Sequence, residues 1–189
     1  AAGNGDGTTN VYWTYPSTPD PDDTGWTDPN HVAGFDGPNG IAEMPLGFDL
    51  TSAFVQTVTV GGTPEERLFI GSRNGRVYAI EMAGRGDMDL ARRVPGSTVR
   101  AWTYPNDYPS VQQQSLLGPI EASLAFTTTA AGPTILVPTT QGRMYALDAV
   151  GAAASRTTTV RWQFPAATSP VLGAIRTTPA VQFGSVFFG

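Results

Sequence analysis

Short runs rich in β-branched and aromatic residues alternate with turns built on Gly, Asn or Gln, and this alternation predicts strands throughout. In the middle of the chain, Ile120 to Thr127 reads as one strand and Thr134 to Thr139 as a second. Gln141-Gly142 turns the chain into a third, Arg143 to Asp148, and Thr159 to Phe164 makes a fourth that carries Trp162. The preceding stretch follows the same plan with Asn74-Gly75 at the turn. Asn-Gly is a strong hairpin signal, because both central residues of a tight two-residue turn need positive φ.

The plan is a repeat. Trp13-Thr14-Tyr15-Pro16, Trp102-Thr103-Tyr104-Pro105 and Trp162-Gln163-Phe164-Pro165 are versions of one phrase. Gly47 to Phe54 lines up with Gly118 to Ala125 and with Gly173 to Ala180, and Leu68 to Glu81 lines up with Ile135 to Asp148. Units of four short antiparallel strands, repeated, predict the blades of a β-propeller. A β-sandwich of unrelated strands would contain no internal phrase. The recurring Trp suits packing: an indole on the last strand of a blade buries a large area against the next blade while its N–H reaches a backbone acceptor. Trp102 and Trp162 are therefore expected on equivalent strands and largely buried. Trp26 lies outside the repeat and is the better candidate for an exposed role.

The phrase Gly142-Arg143-Met144-Tyr145-Ala146-Leu147-Asp148, with Gly151 and then Trp162, resembles the repeat of the PQQ-type, quinoprotein-like β-propellers. In that family the pattern is Gly-x-x-Tyr-Ala-Leu-Asp-x-x-Thr-Gly with a Trp soon after. Val150 stands in the Thr place. Gly75, Tyr78, Ala79, Ile80, Glu81, Gly84 and Trp102 form a weaker copy, and in both copies a longer stretch separates Gly from Trp. The resemblance covers roughly residues 47–189 and implies an all-β propeller. It implies no particular activity, since many such propellers hold no cofactor.

The expected organisation is a blade over 47–105, a second over 118–165, and the first half of a further blade over 173–189. Residues 1–46 read as an irregular Gly-, Pro- and Asp-rich loop or insertion with one blade strand at 10–15. That is a partial ring of about two full blades and parts of two others. Unpaired strand edges promote aggregation, so the expectation is a longer polypeptide, or other subunits, that complete the propeller.

Composition narrows the partners. Charged residues are 14% of the chain, the net charge is −5, and all eleven cationic residues are Arg. This argues against a nucleic-acid backbone, which needs clustered cations. There is no Cys, so disulfides, zinc thiolates and Cys nucleophiles are excluded. No apolar run is long enough to span a bilayer. Asp20-Pro21-Asp22-Asp23-Thr24-Gly25-Trp26-Thr27-Asp28 has the spacing of Asp-x-Asp-x-Asp-Gly calcium loops, in which alternate oxygens point inward. The ligands would be Asp20, Asp22, Thr24, the Trp26 carbonyl and Asp28. Thr24 replaces a carboxylate, and His31 holds the twelfth place where a bidentate Glu is usual; a solvated acidic loop is the plainer reading. Arg85-Gly86-Asp87 spells a cell-adhesion tripeptide, a three-residue match that is common by chance, and His31, the single histidine, has no triad pattern around it.

Two function classes follow. One is a non-enzymatic scaffold or binding module, extracytoplasmic (periplasmic, cell-surface or secreted) and part of a larger assembly. The other is a piece of a PQQ-dependent dehydrogenase, where the resemblance implies a quinone over the ring axis, a metal held by carboxylate and amide side chains, and an Asp base. No constellation in this segment carries over to those roles, so PQQ is not expected from it, and the adjacent Cys pair of many such alcohol dehydrogenases is absent. A carbohydrate-binding surface protein is a third reading, suited by Trp26 and a calcium loop. The first reading is preferred.

Overall fold

Val, Thr and Phe favour an extended, half-buried backbone, and in this chain they assemble into strands that pair with their sequence neighbours. The computed structural model describes residues 2–3, 9–10, 51–73, 75–82, 100–105, 117–152 and 157–189. Over those residues the chain is all-β, with no helix. A short pair near the start, β1 (Ala2–Gly3) and β2 (Thr9–Asn10), is antiparallel. The first large sheet is β3 (Phe54–Val60), β4 (Thr63–Gly71), β5 (Val77–Glu81) and β6 (Arg100–Tyr104), antiparallel and in chain order. The second is β7 (Ala125–Thr129), β8 (Gly132–Pro138), β9 (Met144–Asp148) and β10 (Val160–Phe164), again in chain order. A third unit contributes the pair β11 (Ala180–Gln182) and β12 (Ser185–Phe187). Neither four-stranded sheet closes on itself.

The strands fall at matching places in the repeat. β3, β7 and β11 begin at Phe54, Ala125 and Ala180, the last residues of the three aligned phrases. The fourth strands match in detail. Trp102 pairs with Ala79 and Trp162 with Ala146, and each strand has a register shift just before its Trp. Both Trp-x-aromatic-Pro phrases end in a cis peptide, Tyr104–Pro105 and Phe164–Pro165.

One local expectation needs correction. Ile120 to Leu124 is not strand: β7 starts at Ala125. That segment connects sheets instead, with the Ile120 N–H donating to Ser72 O at 3.2 Å. Gln141-Gly142 turns the chain as expected, whereas the two positive φ angles expected of Asn74-Gly75 fall partly on Asn74, which lies outside the described residues. Gly142 has φ +76°, whereas Gln141 is not among the residues with positive φ. Gly142 N–H donates to Thr139 O, and Thr139 N–H to Arg143 O, both at 3.1 Å. This is a type I-like turn closed by a left-handed Gly. Gly75 (φ +84°) does the same, donating to Ser72 O at 3.0 Å.

The core lies between successive sheets. Phe69, Val77, Ala79 and Trp102 from the first share a core with Ile135, Val137 and Leu147 from the second and with Leu117 and Ile120 from the segment that precedes it. The positions equivalent to Phe69, Val77 and Ala79 in the second sheet are Leu136, Met144 and Ala146; they pack on Ile175, Val186 and Phe188 of the third unit. Those three residues are the equivalents of Ile120, Ile135 and Val137. One packing arrangement is thus used twice.

Candidate functional site: the seam between sheets and the open face of Trp162

Gly142 and Gly75 build the seam first. Leu117 N–H donates to Gly75 O, and in the next copy Leu172 N–H donates to Gly142 O, both at 3.1 Å. Ile120 N–H reaches Ser72 O, and its equivalent Ile175 N–H reaches Thr139 O at 3.1 Å. The same two backbone bonds therefore tie unit one to unit two and unit two to unit three. A side chain on Gly142 would collide with Leu172 O, which lies 2.0 Å from the place of a Cβ. Within each unit the Arg after this Gly holds the end of the fourth strand. Arg76 donates to Pro105 O at 2.8 Å, and Arg143 donates to Pro165 O and Ala166 O at 2.8 Å each. Charge-assisted bonds to bare carbonyls are stronger than neutral ones, so these cations are structural. Sequence reasoning passed over them, although Gly-Arg stands in both copies of the quoted phrase. Thr51 and Thr177, also equivalent, donate to Gly71 O and Gly189 O at 2.6 and 2.9 Å.

Trp102 occupies the centre of the first seam. It is fully buried, its indole N–H donates to Ala149 O at 3.0 Å, and it lies 5.9 Å from Phe69, centroid to centroid. Gly151, with φ +67°, leaves the room: a Cβ there would sit 2.2 Å from Trp102 Cδ1. Buried Arg67 adds a bond from the first sheet to Val150 O of the second. Tyr78 is buried and Tyr145 partly so. Burial pushes the Tyr104 phenol above its ordinary value, and neighbouring Tyr145 adds to the rise. Burial also raises Tyr145, partly offset by Arg143.

Trp162 departs from its twin. It lies on the equivalent strand, but it is 38% exposed, and the expectation that it is largely buried is wrong. Burial of such an indole depends on the surface that packs against it, not on the strand that carries it. Trp162 instead lines a cleft of about 340 Å³ with Thr127, Thr129, Thr134, Leu136 and Val181. Phe164, Phe183 and Phe187 are exposed nearby in the chain. The cleft lining contains no titratable side chain. Its lining combines the Trp162 indole, aliphatic side chains and Thr hydroxyls.

Trp13, the residues proposed for calcium (Asp20, Asp22, Thr24, Trp26 and Asp28), His31 and Arg85-Gly86-Asp87 lie outside the described residues. Among the described residues, no group of three or more His, Cys, Asp or Glu side chains converges. No described helix is long and apolar enough to cross a membrane.

The sequence matches no protein-family model and no curated protein. What this chain does has to be argued from its seams and its open face.

Proposed function

We propose that the four-stranded sheets are blades of a β-propeller, and that the chain acts as a non-enzymatic scaffold or binding module within a larger assembly. One observation carries this reading: two backbone bonds and a set of core positions that join unit one to unit two recur at the equivalent residues between unit two and unit three. The same joint applied again and again turns successive sheets about one axis, which is how a ring of four to eight blades is built. The reading requires further blades beyond those described. A periplasmic, cell-surface or secreted location belongs to the proposal and rests on the resemblance to the quinoprotein-like repeat. The binding role rests on the apolar cleft at Trp162 and its lack of titratable groups.

The test separates this from a quinoprotein dehydrogenase. Protein isolated from its source is scanned for quinone absorbance and assayed for dye-linked alcohol and sugar oxidation. The proposal expects neither signal. Bound quinone touching side chains of these blades, or oxidation lost on mutating an Asp of this segment, would replace it with the dehydrogenase reading. Glycan-array binding lost in Trp162→Ala would favour the carbohydrate reading instead, since an exposed indole beside Thr hydroxyls suits a sugar face. Calcium at Asp20, Asp22, Thr24, Asp28 and the Trp26 carbonyl is proposed on spacing alone. Calorimetry should show a saturable heat with millimolar calcium, and its absence would leave an acidic loop.

A further inference from the structure

We infer that the stretch between β9 and β10 is an edge guard: its Thr157 arm closes over the outer edge of β6 and bars that edge from pairing with the β6 of a second copy.

The first reason is a segment that the repeat does not require. The stretch from Gly151 to Trp162 is long for the phrase it belongs to, and the blade reading makes no use of the extra residues. Two arms of it are described, 149–152 and 157–159. An antiparallel bridge holds them together, with Ala152 N–H donating to Thr157 O at 2.8 Å. They are rooted in their own sheet at Asp148. The Asp148 carboxylate accepts from Val150 N–H at 2.9 Å, and its carbonyl accepts from the Thr158 hydroxyl. Its N–H donates to Thr159 O at 3.0 Å. The shape of the arms is thus set within the second unit.

The second reason is where the arms reach. β6 is last in the order of its sheet, so among the described residues no strand lies along its outer edge. Thr103 on that strand is nevertheless only 1% exposed, and its carbonyl accepts the Thr157 hydroxyl at 3.0 Å. The first arm has a different task. Ala149, Val150 and Gly151 meet the side chains of Trp102 and Arg67, and tie sheet to sheet. Thr157 adds nothing to that tie; it takes an edge carbonyl that an incoming N–H would otherwise use. Covering an edge with a loop is one way a sheet avoids joining another. β6 has need of it. Trp102, Thr103 and Tyr104 run together, a composition that favours strand pairing, and Arg100 is the single charge.

The experiment uses the whole 189-residue chain carrying Thr157→Val, alone and with Gly151→Ala, beside Thr157→Ser as the conservative control. Val keeps the shape of Thr but cannot donate to Thr103 O, and a Cβ at 151 presses on the Trp102 ring. Sedimentation velocity over a concentration series reads association. Hydrogen exchange by NMR reads the β6 amides and the Trp102 indole. In the dilute double variant the indole N–H should exchange about tenfold faster than in the parent, as the loss of one or two modest contacts implies. At higher concentration the double variant should associate more than the parent, and its β6 amides should become protected again. Thr157→Val should move the same way by less, and Thr157→Ser should match the parent. An indole set free with association still at the parent level would overturn the guard and leave a plain tie between sheets. So would association that protects another strand and not β6, or an indole as protected in the double variant as in the parent. If the β8 and β9 amides lose protection in the double variant, Thr157→Val alone decides, by the same readings of association and of β6.

Discussion

Trp102 and Trp162 are the same residue in the same register with opposite surroundings, and the difference is what each indole meets. Trp102→Ala opens a cavity in the seam and orphans the Ala149 carbonyl, so denaturant titration should show a loss of about 3–5 kcal/mol. Trp162→Ala should lose less than about half of that, because much of its ring already faces solvent. Tyr104 and Tyr145 make a second prediction. Both phenols are raised above the ordinary 10.0. Below that value the folded and unfolded chains are equally protonated, and the stability is fully present. As pH rises past it, the unfolded chain ionises first, so the folded state holds more protons and stability falls until the raised folded values are passed. The melting temperature should thus fall as pH rises above 10.0, and the double change Tyr104→Phe with Tyr145→Phe should lessen that fall.

At the scale of elements, the turn glycines do more than reverse direction. Gly142 supplies the positive φ that closes its turn, and it also presents the carbonyl that Leu172 N–H binds. Gly142→Ala should therefore cost about 1–3 kcal/mol through strain and a pushed-away Leu172. Gly173→Ala, which meets nothing within 4 Å, should stay within about 0.5 kcal/mol, both read by denaturant midpoint. Much of this architecture was legible in the chain. The aligned phrases mark where β3, β7 and β11 begin, and the Trp phrase marks β6 and β10. Ile120 to Leu124 misled because it alternates buried apolar and less buried polar residues as a strand does, although its backbone bonds across the seam instead. The exposure of Trp162 was hidden for a different reason: burial belongs to a pair of surfaces, and the repeat reveals one of them. The carbonyl-binding role of Arg76 and Arg143 was also hidden, since periodicity does not tell a bonded cation from a solvated one.

For the molecule as a whole, the described units differ in how firmly they are held. A two-stranded sheet is marginal by itself. The β11–β12 pair depends on the Leu172 and Ile175 backbone bonds, the small cluster of Ile175, Val186 and Phe188 on the second sheet, and the Arg176–Glu121 ion pair at 3.0 Å. That ion pair is largely exposed on the Arg side and contributes little. Native-state hydrogen exchange should find β11 and β12 opening first, well before β8 and β9, whose central residues are fully buried. Equal protection across all three units would mean that the seam, and not the sheet, is the cooperative element.

Strand order and chain order coincide in both large sheets, and this bears on how the protein is made. Each sheet can close as soon as its fourth strand has left the ribosome, without waiting for any distant segment, because every hydrogen-bonded neighbour has already been synthesised. The finished sheet then presents the face on which the next one forms. Translation pauses timed to the emergence of Pro105 or Pro165 from the ribosome would fall at moments when a whole sheet is available to fold. A pause inside β9 would instead leave β8 with one side open while the nascent chain is crowded by its neighbours.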